Sequence, residues 1–441
     1  MFLTTLLATT AKDVFTYIGY VIVAILALMV MILVHESGHY LAGKIFKFDI
    51  DEFSVGFGPA IFKHRNKKNG ELFAIRCIPL GGYCAFYGED SEDEDTSIET
   101  DSFSLYSEVD QMNMKKRVGF NSQKPWKRLI VLFSGAFFNF LFAILVIAIY
   151  FSAYGQFLPK ITATSQLEHQ AIVFEEGDVV LNVNGKQVNI LLQDDLDNTF
   201  SKLGDSATFK VLRNGKIVKF TAIKDYHIPF DDADVVTSID GNEVEEFPFT
   251  ELVAHLAPDG NYHTIICKDP EGYQLAARLR YEDASSGNVS TSGYYSYGFG
   301  ITRGLTIQKL SFGLALGRSF GFSFFVVFKI LATLGALITG KLGASAVGGT
   351  ITTVRIIAEG TKLGGFSYLM YIMAIVSANL AVFNLLPIPA LDGSRMVFTG
   401  IEWVAGKPVP RKIEAIIHTV GLVVLVLIAV FFDVFHLITG T

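Results

Sequence analysis

Four segments of this 441-residue chain are apolar over about the width of a bilayer: Val14–Val34, Leu129–Tyr154, Tyr368–Leu391 and Ala415–Phe432. A spanning helix needs about 20 such residues. A hydrophobic content of 51 % is also too high for an ordinary soluble protein. A multi-span membrane protein is therefore expected. A fifth stretch, Leu310–Leu342, is interrupted by Arg318, Lys329 and several glycines. Its broken apolarity suits helices that lie in the interface or re-enter. The first stretch exceeds a secretory signal core and runs into charged and histidine residues instead of a small-residue cleavage site, so it is expected to be retained.

Short loops set the orientation, because lysine and arginine accumulate on the cytoplasmic side. The segment between the first two spans carries Lys44, Lys47, Lys63, Arg65, Lys67, Lys68 and Arg76, then Lys115, Lys116, Arg117, Lys124, Lys127 and Arg128. The loop after the third adds Arg395, Lys407, Arg411 and Lys412. Both read as cytoplasmic. The N-terminus and the segment of about Gly155–Lys309 then lie outside, with four crossings. The net charge of −7 gives no basic footprint, which argues against nucleic acid as a partner. The three cysteines, Cys77, Cys84 and Cys267, form neither a disulfide framework nor a metal pair with useful spacing.

The outside segment alternates apolar and polar residues around turn pairs such as Asn184-Gly185 and Asn214-Gly215, which predicts small β-rich domains. GDVVLNVNGKQV (Gly177–Val188) recurs as ADVVTSIDGNEV (Ala233–Val244), which predicts two related modules in tandem. The pattern resembles PDZ domains, the first copy more closely than the shorter second. Such domains bind peptides by adding a strand to a sheet edge. Between the first two spans, Asp51–Phe62 and Glu71–Glu89 flank the polar turn Asn66–Gly70, a hairpin pattern, and an acidic run follows from Glu89 to Asp101.

The strongest chemical signal is HESGH, His35–His39, at the cytoplasmic end of the first span. On a helix, residues i and i+4 share a face, so both imidazoles can reach one zinc ion. Glu36 is then placed as general base towards a water that the metal acidifies. Ionisable residues this close together in a spanning helix are costly unless they line a polar cavity or bind something. A catalytic zinc needs a third protein ligand. Asp392, in NLLPIPALDG (Asn384–Gly393) at the cytoplasmic end of the third span, is the candidate on the same side. Pro387 and Pro389 break helical hydrogen bonding there, an irregularity tolerated at membrane depth where it lines a cavity.

These residues resemble the site-2 protease family of intramembrane zinc metalloproteases, peptidase family M50, and specifically its bacterial RseP type. The likeness rests on HExxH in the first span, the VGFGP and PLGGY segments, Trp126–Leu129 at the start of span two, the PDZ-like modules, and N-x-x-P-x-P-x-L-D-G in span three. It implies that His35, His39 and Asp392 bind Zn2+, that Glu36 is catalytic, and that Asn384, with Pro387, Pro389, Gly81 and Gly82, contacts substrate. It further implies a membrane-entering β-loop at Asp51–Glu89 that grips an unwound substrate helix, and a multi-pass protein of the bacterial cytoplasmic (inner) membrane. Substrates would be single-span proteins such as pre-trimmed anti-sigma factors and remnant signal peptides, with the PDZ pair excluding untrimmed ones. Ala136, Ser394 and the short second module depart from the family pattern, while Asn139 keeps it.

The expected architecture is an α-helical polytopic membrane protein with about four transmembrane helices, a membrane-entering β-loop and extracytoplasmic tandem PDZ-like β-rich domains. Its units are 1–50 and 51–128, the second helix 129–154, the modules 155–226 and 227–309, interfacial or re-entrant helices 310–367, the third helix 368–393, a cytoplasmic loop 394–414 and the last helix 415–441. A metal transporter or zinc sensor would also carry intramembrane histidines, but it gives Glu36 no task. A scaffold would need neither HExxH nor Asp392.

Overall fold

A computed structural model describes residues 11–66, 69–89, 117–164, 174–204, 206–223, 233–256, 262–268, 270, 274–281, 289–290, 301–343 and 348–439. The acidic run beyond Glu89 lies outside them. The chain divides into two compact units, Met1–Gly155 with Lys309–Thr441, and Gln156–Gln308.

The first helix, α1 (Ala11–Ile45), continues well past its apolar stretch, so His35, Glu36 and His39 sit in regular helix near its C-terminal end. Lys44 in its last turn suits the negative end of the helix dipole. Strands β1 (Ile50–Arg65) and β2 (Leu72–Phe86) follow. They bend at Gly56, Gly58 and Gly81, whose φ values of 88°, 83° and 110° a side chain rarely adopts. As a result Glu52–Val55 lies between Leu72–Ile75 on one side and Gly82–Ala85 on the other. A cluster of Ala42, Phe48, Ile50, Phe86, Phe120, Val131 and Leu132 fastens the base of this hairpin to α1 and to α2 (Pro125–Ala153).

In the second unit, β3 (Gln156–Thr164), β4 (Val179–Val183), β5 (Lys186–Gln187), helix α3 (Gln193–Ser201), β6 (Ser206–Arg213) and β7 (Lys216–Ile223) build one sheet. β8 (Val235–Ile239), β9 (Asn242–Pro248), helix α4 (Leu252–His255), β10 (Tyr262–Lys268), β11 (Gln274–Tyr281) and β12 (Val289–Ser290) build another, in which β8–β11 repeat the order of β4–β7. The repeated sequence occupies β4–β5 in one sheet and β8–β9 in the other. Positive φ at Asn184, Gly185, Asp240 and Gly241 marks both turns as the kind that matches strand twist. The expected module boundary needs correction, because β13 (Ile301–Gln308) pairs with β3 and so belongs to the first sheet, not to a second module ending at 309. Strand pairing is settled by tertiary contact, and no local sequence pattern reports it.

Asp178, fully buried, receives two hydrogen bonds from the Arg213 guanidinium, at 2.8 and 2.7 Å. The bond to Asp178, with its charge and that of Glu175, outweighs partial desolvation and raises the Arg213 pKa. A raised cationic pKa stabilises the fold at every pH below the unfolded value, so the pair holds throughout the physiological range. Asp178→Ala removes two charged hydrogen bonds and leaves the Arg213 guanidinium to Glu175 alone, and it is expected to cost this unit about 2 kcal/mol, visible as a lowered unfolding midpoint. Burial pushes the Cys267 thiol up to about 12, which leaves it protonated and unreactive at neutral pH.

The helical unit resumes with α5 (Phe312–Ile338) and α6 (Thr350–Leu385), followed by α7 (Asp392–Ala405) and α8 (Arg411–Thr439). Among the described residues, five helices are long and apolar enough to cross a membrane, against the four expected, and α5 makes the difference. Arg318 does not break α5, because it lies on the buried face with Ala315, Phe322 and Val326, packed towards protein. α6 bends sharply at Gly365 (φ 63°), and Tyr368 lies where Gly360 and Gly364 leave room for its ring. Asp433 of α8 caps the start of α6, accepting from the N–H groups of Ile351 and Thr352 at 3.1 and 2.9 Å. The protein is a multi-pass membrane protein with β domains.

Candidate metal centre

The helical turn of α1 places His35 and His39 one above the other, with their Nε2 atoms 3.1 Å apart. Asp392 arrives from the far end of the chain, with Oδ2 3.0 Å from Nε2 of His35 and 3.3 Å from that of His39. Two local features aim it. Pro387, with no N–H to continue α6, ends that helix, and Asp392 opens α7. Gly393 lets the turn close, since a Cβ there would overlap the carbonyls of Leu385 and Leu386.

The electron pairs at this point demand a cation. His39 Nδ1 lies 2.8 Å from the Val131 carbonyl, to which it must donate, so in the neutral ring Nε2 carries a lone pair. Oδ2 of Asp392 is buried and takes no hydrogen bond. Two lone pairs and a carboxylate oxygen within 3.3 Å would repel one another without a positive charge between them. Zinc bonds of ~2.0–2.1 Å at tetrahedral angles separate ligand atoms by about 3.3 Å, so the three atoms fit that ion. Both histidines are buried, while the Asp392 side chain keeps 20 % of its surface exposed, so the cluster opens to one side.

That side is a cleft lined by Ile32, His35, Glu36, Asn139, Leu380, Asn384, Ala390, Leu391 and Asp392. The Glu36 carboxylate faces the backbone of Cys84, which brings β2 to the cleft. A Cβ on Gly82 would come within 3.6 Å of the Glu36 side chain, so the edge of the hairpin runs beside the site. Asn384 reaches His35, its amide nitrogen 3.4 Å from Nδ1. Pro389 packs against Gly421 of α8, and Gly81 packs against the Phe57 ring. Neither they nor Pro387 line the cleft.

Sequence reasoning gave no task to three further residues. The Asn139 amide also lies 3.4 Å from His35 Nδ1, and its buried Oδ1 has no hydrogen-bond partner. Turning that amide over brings the oxygen to the ring, where it would accept the Nδ1 proton of a metal-bound, neutral His35. Gly135 lies directly against both imidazoles, and a Cβ there would be 2.7 Å from His35 Cε1 and from His39 Cε1. Gly38 makes the reciprocal approach, where a Cβ would meet the Ser134 backbone. A small residue every few positions on each helix is the only trace of this in the sequence, and it does not say which helices pair.

The sequence profile described as peptidase family M50 matches residues 23–428. A protein of Bartonella henselae is 30 % identical over 413 residues, 92 % of this chain and 98 % of the relative. Another, of Mesorhizobium japonicum, is 28 % identical over 416 residues, 92 % and 95 % of the two chains. A third, of Fusobacterium nucleatum, is 27 % identical over 418 residues, 92 % and 94 %. All three carry the name "Putative zinc metalloprotease". With a match over nearly its whole length, the chain belongs to peptidase family M50.

Proposed function

We propose that this chain is an intramembrane zinc endopeptidase that hydrolyses peptide bonds in or near the transmembrane segment of single-span proteins, including pre-trimmed anti-sigma factors and remnant signal peptides. The observation that carries the reading is the meeting of His35, His39 and Asp392 at one buried point beside Glu36. Zinc held there supplies a Lewis acid that polarises a carbonyl and acidifies water. Glu36 accepts the proton from attacking water and delivers it to the departing amine. His39 is fixed through Val131, and His35 is oriented by the asparagine amides beside it.

A helical substrate hides its carbonyls in its own hydrogen bonds, so it must unwind first. The segment Gly82–Ala85 at the hairpin edge beside Glu36 supports strand addition as the means. Asn384, on the cleft wall, is placed to meet substrate as well as His35. Ion pairs from Arg395 to Glu89 and from Arg128 to Glu402 gather the basic residues of both expected cytoplasmic loops at the metal-site end of the helical unit. This supports an orientation with the β unit outside the cytoplasm, in the bacterial inner membrane. The β unit is read as two PDZ-like modules that exclude untrimmed substrates, and β13 makes the first of them discontinuous in sequence.

The test is cleavage of a single-span reporter in proteoliposomes, with and without its outer domain. The trimmed reporter is expected to be cut by native protein and not by Asp392→Ala, and the untrimmed one to be cut at least about tenfold more slowly. Zinc movement across the vesicle without any cleavage would sink the protease reading and favour transport.

A further inference from the structure

We propose that His418, on the last helix, is a positioning residue that holds the turn carrying Asp392 in register with the two histidines. α8 buries only His436 fully, and most of its residues are exposed. It nevertheless grips that turn at two adjacent points. Gly421 admits Pro389 so closely that a Cβ would lie 3.1 Å from its backbone. One turn away, Nδ1 of His418 accepts the backbone N–H of Ala390 at 3.0 Å, and Ser394 Oγ lies 3.5 Å from the same nitrogen. Ala390 has φ 75°, a left-handed conformation that a residue with a Cβ adopts only when its surroundings impose it. The hydrogen bond from its N–H to the His418 imidazole, two residues before Asp392, is such an imposition. Phe398 packs at the ring edge, with centroids 5.7 Å apart, and the Glu414 carboxylate stands 4.0 Å from Nε2.

The proposal rests on Asp392 being a zinc ligand, and the test separates the two. Zinc release to a chelator is timed in the purified full-length protein in lipid nanodiscs, alongside the visible spectrum of the cobalt-loaded form. His418→Phe keeps the ring and loses the acceptor, and it is expected to release zinc about tenfold faster and to alter the cobalt bands. His418→Asn places a carbonyl oxygen near the position of Nδ1 and is expected to restore both. Asp433→Asn loosens the other end of α8 and is expected to leave both unchanged. If Asp392→Ala loses zinc while His418→Phe holds it like the native protein, the positioning role is overturned and the ligand assignment stands. If Asp392→Ala holds zinc like the native protein, the ligand assignment falls and the positioning role with it. Equal zinc loss from Asp433→Asn, or no rescue by His418→Asn, would reduce His418 to general support of the helix and overturn the proposal.

Discussion

Glu36→Gln is expected to lower kcat for a trimmed single-span reporter by on the order of 10³-fold, within the ~10²–10⁴ that a positioned general base contributes. The size of the effect follows from how little else changes. Glutamine keeps the length and shape of the side chain, and its carbonyl oxygen can still face the Cys84 backbone as Glu36 does. The three atoms proposed to hold zinc belong to His35, His39 and Asp392, so bound zinc should remain at the native level. What is lost is a group able to take a proton from water and pass it on. Single-turnover cleavage measured with metal content in the same sample checks this. A mutant that cuts within a few-fold of native would remove Glu36 from the mechanism, and a mutant that loses its zinc would make Glu36 part of the metal site.

Gly135→Ala should lower activity by a different route, since one methyl group is aimed at two imidazoles together. The added Cβ would meet His35 and His39, both buried. His39 is further held by its bond to Val131, in the same helix as Gly135. Either α1 and α2 separate, or the imidazoles leave their positions. Overpacking of this kind costs about 1–3 kcal/mol in stability, and misplacing reactive groups by ~1 Å costs on the order of 10²-fold in rate. The expected result is a folded, membrane-inserted protein with at least about tenfold weaker zinc retention and about 10²-fold slower cleavage. Gly400→Ala, where a Cβ would meet nothing within 4 Å, is expected to behave as native and serves as the control. Native zinc retention in Gly135→Ala would mean that the site is looser than its packing indicates.

Features governed by nearest neighbours could be read from residue order. HESGH projects two imidazoles from one helix face whatever surrounds it, because the i, i+4 relation is a property of the helix. The long apolar helices follow from composition over some 20 residues. The paired turns at Asn184-Gly185 and Asp240-Gly241 follow from backbone conformations that few other residues accept. Asp392 could be named only through the topology argument and the family resemblance, since nothing local distinguishes it from other acids before a glycine.

Contacts between distant segments needed the folded chain. Arg318 reads as an interruption of an apolar stretch, yet it is buried on the protein-facing side of one continuous helix. Ile301–Gln308 closes the first sheet across the whole second one, a pairing that strand patterns do not encode. Gly135 and His418 look like an ordinary small residue and an ordinary helix-end histidine until α2 and α8 are packed against the ligands. Residue order therefore specified the chemistry that this protein carries, because ligand spacing, helix length and turn conformation are local. Packing specified where that chemistry meets and what holds it there, because the approach of α1, α2, α7 and α8 depends on the summed shapes of residues far apart in the chain.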